Sequence, residues 1–453
     1  MIITSRVRNL IVEAGLLAIA MFVNSPAHAQ QFTVLHNFAG PPDGGVPEAS
    51  MIYVSGTPGR TNVVPVSTLY GTTSVGGTGK CTMEGYQTGC GTVFEVSGER
   101  EAVLYSFQGG PDGWASLGGL VRDKKGNLYG TTAGGGAYGY GTIFKLAEKT
   151  KTILYSFQGT PDGAYPTSAL TQDSEGNLYG TTSNGGVNGG AYGGGTVFKL
   201  DINGNETVLY SFCSQLQCSD GENPSPRSTL TMDASGNLFG TTFYGGNIGA
   251  GTVFKVDTKG NETVLHSFCT ELGECSDGAN PEGGLVMDSS GNLYGTTTEG
   301  GVEGQPYGNV FKLDPTGHET VLHEFCSEPA CADGLGPTAG VIMDARGNLF
   351  GTTGATVFEI DTTGTFSVIY TFTGLPGPVE PVGGLTMDAK GNLYGTASQG
   401  GPGNCTLLYY GCGAVFKIKP LTYRKNQNPV FESPRNSVRL RSQQRLLITQ
   451  GHW

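Results

Sequence analysis

The sequence predicts an all-β protein, a seven-bladed β-propeller built from four-stranded antiparallel blades. One motif, Gly-Asn-Leu-Tyr-Gly-Thr-Thr at residues 291–297, and its close variants occur seven times, with the leucine at Leu69, Leu128, Leu178, Leu238, Leu293, Leu349 and Leu393. Successive leucines are 59, 50, 60, 55, 56 and 44 residues apart. Repeated units of about 50 residues with several short β-strands are typical of propeller blades. The 3.6-residue periodicity that indicates helical repeats does not occur.

Residues 281–325 illustrate one unit. Residues 281–288 are a short apolar run that ends in Asp288, and Ser-Ser-Gly-Asn follows. An Asp side chain can hydrogen-bond the backbone just ahead, and Gly and Asn tolerate positive φ, so this stretch predicts a tight turn. Three further runs rich in β-forming residues follow, at 293–297, 309–313 and 319–325. We name the four predicted strands A to D in this order.

The two ends of the repeat region predict how the ring closes. Residues 33–38 match a strand D, and residues 414–418 match a strand C. The seventh unit therefore lacks its own strand D, and the N-terminal strand should supply it. Closure of this kind completes the seventh blade and leaves no open blade.

The pattern resembles the GloVer tandem-repeat family of exported bacterial proteins over about residues 32–419. The matching blocks are Gly-Asn-Leu-Tyr/Phe-Gly-Thr-Thr and Gly-Thr-Val-Phe-Lys, although Ser67-Thr68 replaces Gly-Asn in the first copy. The first hairpin of each unit also resembles that of NHL and streptogramin-lyase propellers, which implies that strand A lines a central channel. The resemblance implies little about activity, because the family is defined by its repeat.

The regions outside the repeats predict an export signal and a C-terminal tail. Residues 1–29 have Arg6 and Arg8, an apolar stretch at 16–23 and an Ala-His-Ala cleavage site, which is the pattern of a signal peptide. We expect a propeller over residues 30–420 and a basic, mobile tail over 421–453. The predicted protein is exported, periplasmic or extracellular, and monomeric. The sequence contains no apolar run long enough for a membrane span.

Ten cysteines form five local pairs, which are Cys81 and Cys90, Cys213 and Cys218, Cys269 and Cys275, Cys326 and Cys331, and Cys405 and Cys412. An even number of cysteines in an exported chain favours disulfides. Structural zinc is the alternative, but the pairs lack the spacing and the histidine neighbours that such sites use.

Net charge argues against a nucleic-acid partner. The chain carries −12, of which the first 29 residues contribute +1 and the tail +5, which leaves −18 on the repeat region. A body this acidic would repel phosphate backbones.

Connections between strands predict which face is functional. In a four-stranded meander, the D-to-A and B-to-C loops lie on one face, and these include residues 108–120 and 133–141. All five cysteine pairs fall in such loops, whereas the A-to-B and C-to-D turns are tight. Since function concentrates on loops held by a rigid scaffold, we take this face as the candidate and call it the loop face.

Candidate ligand-binding residues lie where the copies differ. Trp114 and Tyr165 precede strand A, and Glu48, Arg227 and Glu282 follow slightly further in, at the predicted channel mouth. The B-to-C loops add tyrosines at Tyr138, Tyr140, Tyr192, Tyr244, Tyr307, Tyr409 and Tyr410. Aromatic side chains on such a face could stack on sugar rings or pack against a protein partner. The alternative is that each tyrosine covers a neighbouring loop.

An Asp-Gly pair recurs in the D-to-A loops, at Asp43, Asp112, Asp162, Asp220, Asp277 and Asp333. A ring of carboxylates could bind Ca²⁺, which takes six to eight oxygen ligands. We favour a turn role, because Asp followed by Gly is typical of Asx-turns and the ring would hold these residues too far apart to share an ion. No other cofactor is predicted.

Three functions fit the sequence. We prefer a non-enzymatic binding or interaction scaffold whose ligand is a glycan or a protein. A metal-assisted lyase or lactonase-like enzyme, with Glu48, Glu282 and Arg227 at the channel mouth, is the alternative. No histidine is predicted at the loop face to act as a general base, and no Gly-x-Ser-x-Gly motif occurs. A purely structural surface protein is the third reading.

Overall fold

The computed structural model describes residues 31–56, 66–83, 86–188, 193–269, 275–301, 307–374, 377–403, 405 and 411–419. Within these ranges the chain forms seven antiparallel blades of four strands each, and no α-helix occurs. The all-β, seven-bladed propeller is therefore confirmed. Among the described residues no helix is long and apolar enough to cross a membrane. The predicted signal peptide and tail lie outside the described residues.

Strands A are short, and in blades 1 to 7 they are Ile52–Val54, Val121–Arg122, Thr171–Gln172, Thr231–Met232, Val286–Met287, Ile342–Met343 and Thr386–Met387. Strands B are Thr68–Thr73, Leu128–Thr132, Leu178–Thr182, Leu238–Tyr244, Leu293–Thr297, Leu349–Thr352 and Leu393–Ala397. Strands C are Thr92–Ser97, Thr142–Ala147, Thr196–Leu200, Thr252–Val256, Asn309–Leu313, Thr356–Ile360 and Ala414–Lys419. Strands D are Arg100–Ser106, Thr150–Ser156, Glu206–Ser211, Glu262–Ser267, Glu319–Glu324, Phe366–Thr371 and Gln31–Asn37.

Smaller elements lie in the loops. Paired short strands are Gly44–Gly45 with Val75–Gly76, Thr82–Met83 with Tyr86–Gln87, and Gly163–Ala164 with Asn184–Gly185. Glu222–Pro224 adds a strand beside Leu238–Tyr244 in blade 4. Single 3₁₀ turns occupy Gly110–Asp112, Leu216–Cys218 and Pro329–Cys331.

The N-terminal strand closes the ring. Gln31–Asn37 runs antiparallel to Ala414–Lys419, with Thr33 opposite Lys417. The backbone N–H of Phe38 continues the pairing by donating to the carbonyl of Gly413 at 3.0 Å. Blade 7 is thus completed by the first described strand of the chain, as the sequence predicted.

The hydrophobic core lies between blades. In every pair of neighbouring blades, the phenylalanine that follows strand D packs edge-to-face against the strand C phenylalanine of the next blade, with ring centroids 4.9–5.3 Å apart. The pairs are Phe38–Phe94, Phe107–Phe144, Phe157–Phe198, Phe212–Phe254, Phe268–Phe311, Phe325–Phe358 and Phe372–Phe416. This geometry favours aromatic rings beyond the burial of their area. Because Phe38 directly follows the closing strand, the seam between blades 7 and 1 packs like the others.

The repeated Gly-Thr-Thr has a packing reason at each position. Gly130 lies directly under the ring of Phe144, where an added Cβ would come within 2.8 Å of the ring. The hydroxyl of Thr131 donates to the carbonyl of Ser168 in the next blade at 3.2 Å. Thr132 shares a hydroxyl hydrogen bond with Thr142 across the B–C pair at 2.8 Å. The motif therefore serves close packing, inter-blade contact and strand pairing in turn.

The Asp at the end of strand A organises the A-to-B turn. In blade 5, Asp288 accepts hydrogen bonds from the backbone N–H groups of Ser290 and Asn292 at 2.8 and 2.9 Å. It also accepts from the Asn292 amide at 2.7 Å and from the Tyr294 hydroxyl at 3.1 Å. Burial by itself would raise the pKa of Asp288, but these hydrogen bonds outweigh it and the pKa is lowered.

We expect Asp288→Ala to destabilise the protein, because it removes the acceptor for four donors in one turn. The loss should be about 1–2 kcal/mol, equivalent to a fall in Tm of roughly 2–4 °C. Differential scanning calorimetry at neutral pH measures it, with the neighbouring exposed Ser289→Ala as the matched control. An Asp288→Ala protein that melts with the Ser289→Ala control would contradict this role for the turn.

Buried carboxyl groups recur at the seams between blades. A phenylalanine follows each strand D. The residue six positions before this phenylalanine has a side chain that faces strand D of the preceding blade. In four seams this residue is a glutamate with a buried Oε1 atom that has no hydrogen-bond partner, namely Glu101, Glu206, Glu262 and Glu319. For Glu206, burial and the nearby carboxylate of Asp162 raise the pKa to about 7. Burial and Asp220 raise the pKa of Glu262 to about 7 in the same way.

These shifts predict a pH-dependent stability. A carboxyl whose pKa is raised by folding favours the folded state while it is protonated, and it loses that contribution as pH rises from about 4.5 to about 7. In the double variant Glu206→Gln, Glu262→Gln, the two substituted side chains are uncharged at every pH. We expect its Tm at pH 8 to be roughly 1–3 °C above that of the wild type, after allowance for solvent screening.

At pH 4.5 the same variant and the wild type should melt at similar temperatures. Thermal melts between pH 4.5 and 8 measure the difference, with the exposed Glu99→Gln as control. A wild-type Tm advantage at pH 8 would show that the seam carboxyl groups are not held neutral.

Candidate binding site on the loop face

The loop face carries the disulfides that the sequence predicted. All five pairs are bonded as expected: Cys81–Cys90, Cys213–Cys218, Cys269–Cys275, Cys326–Cys331 and Cys405–Cys412. Three pairs lie in D-to-A loops and two in B-to-C loops, so they brace the face on which the long connections meet. Five disulfides also suggest an oxidising, exported location.

The Asp of each Asp-Gly pair is used inside its own loop. Asp220 accepts hydrogen bonds from the backbone N–H groups of Ser214 and Gln215 at 2.8 and 3.2 Å and from the Tyr210 hydroxyl at 2.7 Å. At three seams a histidine of strand D replaces this tyrosine and contacts the Asp, in the pairs His36–Asp43, His266–Asp277 and His323–Asp333. These carboxylates therefore fasten each of the six loops that carry them to the preceding strand D.

A left-handed residue recurs in every D-to-A loop, and the sequence analysis missed it. Its φ is between 54° and 58°, and the seven positions are Val46, Ala115, Tyr165, Asn223, Asn280, Gly336 and Glu380. The backbone N–H of Tyr165 donates to the carbonyl of Tyr140 in the preceding blade at 2.9 Å, and five of the other positions make the equivalent bond. Two features of the sequence could have indicated this left-handed residue. It is the third residue after Asp in six loops, and it is Asn or Gly in three copies.

Trp114 and Tyr165 do not occupy equivalent positions. Tyr165 is the left-handed residue of its loop. In the loop that contains Trp114 the left-handed residue is Ala115, so Trp114 lies one position earlier. Trp114 pairs through its backbone with Gly134, and its indole lies over that glycine, where an added Cβ would be 2.2 Å from the ring. The indole is held in place by this contact but is still 41% exposed.

Two tyrosines of the blade 2 B-to-C loop extend the aromatic surface. The ring of Tyr140 packs edge-to-face against Tyr165 with centroids 6.1 Å apart, and Tyr140 is backbone-bridged to Gly135, the neighbour of the glycine under Trp114. Tyr138, Tyr140 and Tyr165 are 58%, 39% and 38% exposed. We call Trp114, Tyr138, Tyr140 and Tyr165 the aromatic patch.

The remaining B-to-C tyrosines are not part of this patch. Tyr244 is exposed in blade 4 and packs edge-to-face against Phe243, and Tyr307 is half-buried against the blade 5–6 core. Tyr307 thus covers a neighbouring loop, which was the alternative interpretation. Tyr192, Tyr409 and Tyr410 lie outside the described residues.

A pocket of about 540 Å³ lies beside Trp114. Its lining includes Trp114, Leu117, Lys80 and Glu48, together with the Cys81–Cys90 disulfide. A pocket of this size accommodates one or two small rings, and a mixture of an aromatic wall with a few charged groups is typical of ligand sites.

The three charged residues at the channel mouth come together. The Arg227 guanidinium donates to Glu48 at 3.0 Å and to Glu282 by a second, short bond. Glu48 and Arg227 are 179 residues apart in sequence and come from blades 1 and 4, so the pair spans the mouth. Burial raises the pKa of Glu282, and the guanidinium partly offsets this effect. The arrangement is a closed ion-pair cluster rather than a pair of free carboxylates.

Below this cluster the channel is narrow and mostly apolar. A cavity of about 370 Å³ is lined by residues that lead into strand A from all seven blades, including Ala49, Leu117, Leu285 and Val341. This confirms that strand A lines the channel. Glu48 and Leu117 line both the channel and the Trp114 pocket, so the two cavities meet at the mouth.

Two solved structures show the same fold at low sequence identity. Virginiamycin B lyase from Staphylococcus aureus matches with a TM-score of 0.51 and 13% identity, covering 86% of this chain and 99% of that chain. The extracellular domain of a one-component system protein from B. thetaiotaomicron matches with a TM-score of 0.51 and 10% identity, covering 86% of this chain and 40% of that chain. At these identities the likeness shows a shared propeller and nothing about chemistry. No curated protein sequence is significantly similar to this chain.

Family membership rests on the repeat itself. The family model for the Gloeobacter/Verrucomicrobia repeat matches residues 62–225 and 187–409, which together span most of the chain. These matches include the Gly-Asn-Leu-Tyr-Gly-Thr-Thr blocks and six of the seven strand C phenylalanines, whose packing is described above. The chain belongs to the Gloeobacter/Verrucomicrobia repeat family.

Proposed function

We propose that the protein is an exported, non-enzymatic binding protein whose loop face recognises a carbohydrate at the aromatic patch, in the periplasm or outside the cell. The observation that carries the proposal is the exposure of four aromatic side chains on three neighbouring loops. Sugar rings present apolar C–H faces that stack on aromatic rings, and the surrounding hydroxyl groups pair with polar side chains.

Rigidity supports a binding role. Trp114 is fixed over Gly134, and Tyr165 is held by backbone hydrogen bonds to both neighbours of its loop. Side chains that are already ordered lose little conformational entropy when a ligand binds. The adjoining pocket offers Lys80 and Glu48 as polar partners for sugar hydroxyl groups.

The enzymatic alternative receives less support from the geometry. A metal-assisted lyase or lactonase-like site would need Glu48 and Glu282 as metal ligands, but Arg227 already lies between them and pairs with both. A divalent cation would have to displace this guanidinium and accept its repulsion at close range. A binding site beside the cluster requires no such displacement.

We expect Trp114→Ala to weaken binding of an oligosaccharide at least about tenfold, since it removes the largest exposed ring of the patch. Tyr165→Ala should weaken the same interaction. A glycan array identifies the oligosaccharide, and isothermal titration calorimetry measures the affinities. Tyr244→Ala, an exposed tyrosine in blade 4, is the matched control and should bind like the wild type.

Three outcomes would count against the proposal. Empty glycan arrays with the wild-type protein would reject the carbohydrate and leave a protein partner for the patch. Equal losses in Tyr244→Ala would move the site away from the patch. Turnover of a bound sugar or lactone that is lost in Glu282→Gln would favour the enzymatic alternative.

A further inference from the structure

Three side chains of types that can bind metal ions lie close together at the seam between blades 7 and 1. His36 belongs to the closing strand in blade 7, Asp43 follows it in the loop to blade 1, and Glu101 lies on strand D of blade 1. One ligand atom from each lies within 4.8 Å of the others. All three residues are half-buried.

The spacing suits a small divalent ion. His36 Nε2 and Asp43 Oδ2 are 3.3 Å apart. Two ligands that each lie 2.0–2.1 Å from a tetrahedral zinc ion are about 3.4 Å from one another, so the pair needs little movement to bind one. The other oxygen of Asp43 accepts from the backbone N–H of Gly44 at 2.7 Å, which fixes the orientation of the carboxylate.

Glu101 supplies a third ligand that the protein does not otherwise use. Its Oε1 atom is buried and has no hydrogen-bond partner. An acceptor buried in this way is costly unless something binds it. The equivalent oxygens of Glu206 and Glu262 lie at seams that offer tyrosine instead of histidine, whereas at this seam the imidazole of His36 supplies a nitrogen ligand.

We propose that His36, Asp43 and Glu101 bind one zinc ion, which ties the closing strand to blade 1. One nitrogen and two carboxylate ligands fit zinc better than calcium, which takes oxygen ligands in larger numbers. With three protein ligands the fourth position would hold water. The ion would act as a structural staple at the seam between blades 7 and 1, between the closing strand and strand D of blade 1.

The other seams supply internal comparisons. At His323–Asp333 the residue equivalent to Glu101 is Phe366, whose ring stacks on the imidazole with centroids 3.6 Å apart. Phe366 offers no ligand atom in place of the Glu101 carboxylate. His266, Asp277 and Glu319 have the right chemistry, but among the described residues they do not form a group within the same 4.8 Å limit. The group Cys213, Cys218 and Glu222 meets the limit, but both of its sulfurs are in a disulfide.

The test uses the mature, disulfide-bonded protein without an affinity tag. After treatment with a chelator, the protein is dialysed against micromolar zinc chloride, and bound zinc is measured by mass spectrometry. We expect one zinc ion per chain and a rise in Tm of about 4 °C with zinc in excess. Magnesium and calcium chloride should produce neither effect.

His36→Tyr is the decisive variant, because it recreates the tyrosine seam that the protein already uses at Tyr210 and Asp220 and should therefore fold. It should lose zinc binding and the zinc-dependent rise in Tm, and Glu101→Gln should weaken both. His323→Tyr is the matched control and should keep them. A wild type that takes up no zinc, or a His36→Tyr protein that takes up as much as the wild type, would overturn the proposal.

Discussion

The pairing of Gln31–Asn37 with Ala414–Lys419 is the contact on which the rest of the structure depends. A propeller buries its core between blades, so an incomplete blade leaves apolar surface exposed on both of its sides. Here the closing strand places Phe38 against Phe94 and completes the cluster around Met51 and Leu69. Every seam then contains the same pair of packed phenylalanines, and strand C of blade 7 is paired on both sides.

Closure also fixes the functional face. Once the ring is complete, each D-to-A loop lies beside the B-to-C loop of the preceding blade, and in six of the seven loops the left-handed residue joins the two by a backbone hydrogen bond. The loops are thereby supported on both sides, and the disulfides shorten their free lengths. This support explains how aromatic side chains as exposed as Tyr138 and Trp114 can stand on well-defined backbone rather than on isolated loops.

Sequence reasoning recovered the local chemistry and lost accuracy where the ring brings distant residues together. The strand pattern, the Asp turns and the cysteine pairs depend on neighbours a few residues away, so they could be predicted. The Glu48–Arg227–Glu282 cluster was predicted as a set, but its ion pairing depends on the curvature of the ring, which no local pattern encodes. Trp114 and Tyr165 were predicted together as residues that precede strand A, and a one-residue offset gives them different backbone conformations. The seam glutamates escaped notice because a charged first residue in an outer strand resembles an ordinary exposed position.

Amide hydrogen exchange across the closing strand tests the account most directly. In the native protein, the peptide covering Gln31–Asn37 should exchange as slowly as the equivalent outer strand Glu319–Glu324 of blade 5, because both are paired with a strand C and packed against a neighbouring blade. Exchange of residues 31–37 at the rate of an unpaired peptide, with blade 5 still protected, would contradict closure by this strand.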